Sequence, residues 1–284
     1  MIAVTGATGQ LGRLVIEALL KTVPAAQIVA AVRSPEKASD LAARGVQIRP
    51  ADYNDPTTLD AAFAGVEKLL LISSNELGKR GVQHRAAIDA ARRAGVELIA
   101  YTSVLHADTS PLGLAGEHRE TEAALRESAV PFVVLRNGWY TENYTGSLAP
   151  VLEHGALLGD SGDGRISSAA RADYAEAAAA VLTRDEQAGR IYELAGDTAY
   201  TLTDFAAEVA RQAGKAVVYR NMSETEYKAA LIGVGLPEPV AELIADSGTG
   251  AAKGALFDDS HQLSTLLGRP TTSLATVVAA ALAK

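Results

Sequence analysis

The sequence predicts an α/β protein: a Rossmann-like, doubly wound parallel sheet carrying a smaller, mainly helical C-terminal lid domain. Three observations predict it. Short apolar runs alternate with longer helical patterns through the first half, as βαβ units require. The glycine-rich segment Gly6-Ala7-Thr8-Gly9-Gln10-Leu11-Gly12 joins the first apolar run to the first helical pattern. After Arg136 the pattern changes: residues 137–165 are rich in Gly, Asn and aromatics, and short helices dominate from Thr201 onward.

Ile2–Thr5 reads as a short buried strand, and the turn after it runs directly into a helix over Gln10–Lys21. Free N–H groups at a helix start and the positive end of its dipole make an anion site. Gly6 permits the tight turn, Gly9 lets backbone approach phosphate, and Gly12 lets helix and strand pack closely. Gly6, Ala7, Thr8, Gly9, Gln10, Leu11 and Gly12 are therefore expected to hold the pyrophosphate of a dinucleotide. Leu11, Leu14, Val15, Ala18 and Leu19 share the helix face that packs on the sheet.

Further strands are expected at Ile28–Val32, Val46–Arg49, Lys68–Ile72, Glu97–Thr102, Phe132–Leu135 and Ile191–Leu194. Helices are expected at Asp55–Phe63, Gln83–Ala94, which Gly95 closes with a left-handed cap, and Glu117–Ser128. Gly159–Gly164 reads as a loop and Val217–Arg220 as a strand. Ser223 with Glu226 forms a capping box, while Leu236-Pro237 and Gly248–Gly254 read as breaks. The expected domains are 1–136 plus about 166–195 for the dinucleotide and about 137–165 plus 196–284 for the substrate lid.

At 284 residues the chain can bury a large core, and 48% hydrophobic content is ordinary for a water-soluble protein. A net charge of −8 argues against nucleic acid or an anionic membrane as the main partner. Zero cysteines exclude disulfides, thiolate zinc sites and cysteine nucleophiles. No basic segment with an apolar stretch precedes the first strand, and no uncharged apolar run approaches a membrane span, so the expected location is cytoplasmic. No histidine pair has helical ligand spacing with a carboxylate, so no metal site is expected. His84 and His154 read as structural.

NAD-preferring sites place an acid at the end of the second strand to accept from the ribose 2′-hydroxyl. Here Arg33 stands there, and an arginine fork suits a 2′-phosphate, so NADPH is the expected cofactor. Asp52, after the third strand, suits either a hydrogen bond to the adenine amino group or a turn role. Ser73, Ser74 and Thr102 follow the next strands, where small hydroxyl residues allow close approach of a ribose or nicotinamide, or cap helices. His106 follows the fifth strand and is a candidate facing the nicotinamide.

With the glycine turn, Arg33, Tyr101-Thr102-Ser103 and Leu135–Asn143 in place, the chain resembles the NmrA-like branch of the atypical short-chain dehydrogenases. The stretches Leu105–Leu112, Tyr192–Asp197 and Gly254–Ser260 extend the likeness to the whole chain, on the side of the branch's bacterial quinone reductases. The resemblance implies hydride transfer from NADPH to a small quinone without metal or flavin; whether the chain forms a homodimer stays open. It also implies that Asn137, Gly138, Trp139 and Tyr140 run along the nicotinamide end of the cofactor, and Arg171, which opens a helix, joins the expected contacts. Tyr140, Asn143, Tyr144 and His106 are the substrate-pocket candidates: an aromatic floor stacks a flat ring and an amide donor meets its carbonyl. Proline often stands in the family where Asn137 stands here.

The dehydrogenase dyad Tyr-x-x-x-Lys is missing, with Leu114 at the tyrosine and His118 at the lysine. His118 either inherits the lysine's ribose contact or is a helical histidine without that role. Loss of the tyrosine removes the acid that carbonyl reduction needs. A quinone yields a resonance-stabilised hydroquinone anion and needs that acid less. The alternative is a non-catalytic NADP(H)-binding redox sensor of NmrA type. An isoflavone-reductase-like activity is disfavoured, because His118 does not match that group's catalytic lysine.

Overall fold

The fold is described by a computed structural model covering residues Met1–Ala283. Its strands are β1 (Ile2–Thr5), β2 (Ile28–Val32), β3 (Gln47–Pro50), β4 (Lys68–Leu71), β5 (Leu98–Val104), β6 (Phe132–Asn137), β7 (Ala156–Gly159), β8 (Ile191–Leu194) and β9 (Val218–Asn221). The first helices are α1 (Gln10–Leu19), α2 (Ser39–Ala43), α3 (Pro56–Phe63), α4 (Arg80–Arg93), α5 (Ala115–Glu127), α6 (Glu142–Thr145) and α7 (Leu148–His154). The rest are α8 (Arg171–Thr183), α9 (Leu202–Ala213), α10 (Glu224–Gly233), α11 (Glu238–Ala252), α12 (Gln262–Leu267) and α13 (Leu274–Leu282).

The seven-stranded sheet has the order β3-β2-β1-β4-β5-β6-β8, and β1 to β6 pair in parallel. Strand order reverses between β1 and β4, the switch point beyond which such sheets bind ligands. β2 is buried along its whole length and reads Ile-Val-Ala-Ala-Val, the composition of a strand covered on both faces. On one face Leu59 and Phe63 of α3, Ala87 and Ile88 of α4 and Leu125 of α5 pack on Val29, Leu69, Ile99 and Val134. α1 packs against α8, whose run Ala177-Ala178-Ala179 is buried.

The described residues divide into two compact units: 1–107, 116–137 and 171–192 form the first, and 108–115, 138–170 and 193–283 the second. The short segment 108–115, inside the stretch expected to belong wholly to the dinucleotide domain, goes with the second unit. That unit has its own two-stranded parallel sheet, β7 with β9.

Two expectations for the second unit require correction. The four-residue strand β7 was not foreseen, because it is too short for its apolar alternation to stand out. Gly248–Gly254 is not a break up to Ala252, since α11 runs through Gly248 and Gly250. Glycine weakens a helix intrinsically, but tertiary packing uses it here. A Cβ on Gly250 would overlap the Leu112 side chain, and one on Gly248 would overlap the Asp160 carboxylate.

Behind the switch point, Glu122 is buried at 1% exposure and takes both Nε (3.0 Å) and Nη2 (2.9 Å) of buried Arg136. Ser103 Oγ donates to the same carboxylate at 2.7 Å, so the charge is paired and hydrogen-bonded. Breaking a buried pair leaves an uncompensated charge and typically costs about 3–5 kcal/mol. Glu122→Gln is therefore expected to lower unfolding stability by roughly 3 kcal/mol, measured by urea denaturation; a loss below about 1 kcal/mol, the range of a surface pair, would contradict this reading.

Candidate functional site

In the first unit the glycine turn forms the anion site that its sequence requires. Gly6 has φ +58°, and the Gly9 amide donates to its carbonyl at 2.9 Å. Gly9 is the N-cap of α1, with no side-chain cap and no acid in the first turn, so the helix's opening N–H groups remain for a ligand. A Cβ on Gly12 would lie 2.8 Å from Ala7 Cα and overlap the Gly6 carbonyl oxygen. Thr5, itself buried, locks the strand end by donating to Leu70 O at 3.1 Å and accepting from Ile72 N at 2.9 Å. These features fit a pyrophosphate: an uncapped helix start, a turn too close for side chains and no acid in the helix's first turn.

Arg33 follows β2, its side chain 67% exposed and paired with Glu76 Oε1 at 3.2 Å. Of the two roles open to Asp52, the structure displays the turn: its Oδ1 accepts from Asn54 N at 2.9 Å just before α3. The Thr102 hydroxyl accepts from Ser73 N at 2.9 Å, tying the ends of β4 and β5 together. Ser74 uses its amide, hydroxyl and carbonyl on His84 Nε2 (2.9 Å), Gln83 Oε1 (2.5 Å) and Arg80 Nε (2.9 Å).

Those contacts lead into a buried network that holds His118. Arg80 Nη1 donates to His118 Nε2 at 3.3 Å, which leaves Nδ1–H to donate to the Tyr101 hydroxyl at 2.7 Å. His118 is 5% exposed, and both its ring nitrogens are engaged within the protein. His84 is held the same way: Ser74 N donates to Nε2, and Nδ1 meets the Thr121 hydroxyl at 2.9 Å. Burial, and after it the Arg80 guanidinium, pushes His84 down to about 3 and His118 well below its usual value of 6.5. Both imidazoles are neutral scaffolding near neutral pH. Asn137 closes β6, and its buried Oδ1 has no hydrogen-bond partner. His106, two residues beyond β5, adopts the left-handed conformation at φ +52°, while Arg171 stands at the start of α8.

In the second unit Gly138 N donates to Leu194 O at 2.7 Å, and Trp139–Thr141 exchanges backbone hydrogen bonds with Ala169. The Thr141 hydroxyl meets Ser168 Oγ at 2.8 Å, and Ser168 meets the Tyr200 hydroxyl at 2.5 Å, so the segment's course is fixed. Trp139, Asn143 and Tyr144 come together on one cavity of about 700 Å³, which Leu231 and Tyr227 also line; Tyr140 is not part of its wall. Phe205 backs the Tyr144 ring at 5.6 Å.

Asp160 also lines this cavity and is a residue that sequence reasoning missed. It lies in a glycine-rich loop that looks solvated in sequence, yet it is 7% exposed. Its Oδ1 has no partner and its Oδ2 accepts from the Thr249 hydroxyl at 3.2 Å. Burial, with Glu224 and Asp246 nearby, pushes its carboxyl up to about 6. No cluster of metal-ligating side chains occurs among the described residues.

The NAD(P)H-binding family matches residues 6–185 of this chain. Quinone oxidoreductase 2 of Escherichia coli is 60% identical over 97% of this chain and 96% of its own length. The crystal structure of the E. coli NADPH-dependent quinone oxidoreductase complexed with NADPH superposes with a TM-score of 0.97 at 59% identity, covering 99% of this chain and all of the other. The triphenylmethane reductase of Citrobacter sp., solved with NADP(H), superposes with a TM-score of 0.95 at 43% identity and covers 99% of this chain and all of its own.

The two neutral histidines link stability to pH. The unfolded chain binds their protons near 6.5 and the folded chain does not. Their contribution is complete above that pH and is lost as pH falls below it, by up to about 1.4 kcal/mol per pH unit per histidine. His118→Gln is expected to flatten the fall in urea midpoint between about pH 7 and about pH 5; an unchanged slope would contradict the neutral assignment.

Proposed function

The chain belongs to the NAD(P)H-binding, NmrA-like family, and on that premise we propose that it is an NADPH-dependent quinone oxidoreductase acting on a small quinone in the cytoplasm. The observation that carries the reading is the pairing of an uncapped, glycine-built helix start with Arg33 at the end of β2. The E. coli relative, 59% identical, has been solved with NADPH, and its name states the activity. The backbone amides of Gly9 to Leu11 hold the pyrophosphate, helped by the positive end of α1. Arg33 takes the 2′-phosphate through its planar fork.

Bound NADPH supplies a hydride for the quinone. Trp139 and Tyr144 stack the quinone ring and the Asn143 amide orients a carbonyl, within a cavity whose size suits a small organic substrate. His118 is neutral and fully engaged, so it neither donates nor stores the proton of the reaction. The resulting hydroquinone oxyanion is delocalised and takes a proton from water without a dedicated acid, so the side chains contribute mainly orientation.

Quinone-dependent NADPH oxidation by the pure protein, followed in the near ultraviolet, tests the activity; Arg33→Asp tests the cofactor assignment. Loss of a charge-assisted contact to phosphate is worth about 10- to 100-fold. The NADPH affinity of the variant is expected to fall by that factor while that for NADH changes little. Equal losses for both cofactors would remove Arg33 from the 2′-phosphate site.

A further inference from the structure

β2 and β4 flank β1 on either side, so a contact between residues just beyond their carboxyl ends bridges the end of β1, where the glycine turn begins. Arg33 and Glu76 make that bridge at 3.2 Å. Glu76 comes from the loop between β4 and α4, and its other oxygen pairs with Lys79 at 3.4 Å. Its backbone is anchored: Glu76 N donates to Ser74 Oγ at 3.1 Å, and Ser74 is in turn held by Gln83 and Arg80. The carboxylate is therefore delivered by a fixed loop to the cation read as the 2′-phosphate ligand.

We propose that Glu76 is a specificity-determining residue that competes with the 2′-phosphate for Arg33 and so limits the preference for NADPH over NADH. This rests on the reading of Arg33 given above. When a 2′-phosphate arrives, Arg33 must leave a carboxylate, and a carboxylate beside a phosphate repels it. When the cofactor has only a 2′-hydroxyl, the same carboxylate meets a neutral donor instead of a charge, and NAD-preferring sites likewise use a carboxylate, from the second strand, to accept from this hydroxyl. Glu76 thus opposes one cofactor and favours the other from a single position. The pair is exposed, with Arg33 at 67% and Glu76 at 35%, so its effect is modest: such pairs are worth up to about fivefold in an equilibrium constant.

The test is a double-mutant cycle read as Kd for NADPH and NADH by nicotinamide fluorescence, with 2′,5′-ADP and 5′-AMP as fragments that isolate the phosphate. Glu76→Gln keeps the shape and removes the charge. It is expected to tighten NADPH and 2′,5′-ADP by about two- to fivefold while NADH and 5′-AMP stay the same or weaken. In an Arg33→Ala background the gain should shrink, because the Arg33 cation is gone and only the pairing with Lys79 and the direct repulsion of the phosphate remain. A Glu76→Gln variant that shifts both cofactors alike, or keeps its full gain without Arg33, would overturn the competition. An Arg33→Ala variant with unchanged selectivity would instead overturn the assignment of Arg33.

Discussion

The close approach of α1 to the end of β1 is the constraint on which the rest of the molecule depends. Gly12 lies so near the Gly6 carbonyl and Ala7 that no side chain fits between them. That contact aims the helix start at the space beyond the sheet, and the absence of a cap leaves its amides for a ligand. The switch of strand order between β1 and β4 opens the crevice at the same place. Arg33 and the Ser73–Glu76 loop then follow as the ends of the flanking strands.

A second layer of polar groups fixes the neighbouring loop after β4. Arg80, His84, His118, Tyr101 and Thr121 form a buried hydrogen-bonded set beneath the β4 loop. Partly satisfied networks of this kind are costly and fully satisfied ones are rigid. His118, which the resemblance to short-chain dehydrogenases aligns with their lysine, belongs to this set.

Most of the fold was legible because parallel strands buried on both faces leave continuous apolar runs, as in Ile28–Val32 and Leu69–Leu71. The pyrophosphate turn was legible because each glycine answers a local steric demand, and Gly6 does adopt positive φ. The role of His118 was not, because a buried acceptor and a solvent-facing ligand read alike when the donor, Arg80, lies a helix away in sequence. Asp160 and Glu76 were missed for the same reason: their meaning comes from Gly248 and Arg33, which are far off in the chain. The helix through Gly248 and Gly250 shows tertiary contact overriding a local propensity. Trp139, Asn143 and Tyr144, chosen for their chemistry, do line one cavity, whereas Tyr140 beside them does not.

The central claim is that the chain carries a hydride directly from NADPH to a quinone, with its own residues supplying binding and orientation. Single-turnover oxidation of NADPH deuterated at the transferring position of C4, mixed with protein and a simple benzoquinone, tests it most directly. The predicted result is protein- and quinone-dependent oxidation that the deuterium slows several-fold. NADPH that binds tightly yet is not oxidised by any of several quinones would contradict it and identify a protein that senses the cofactor without consuming it.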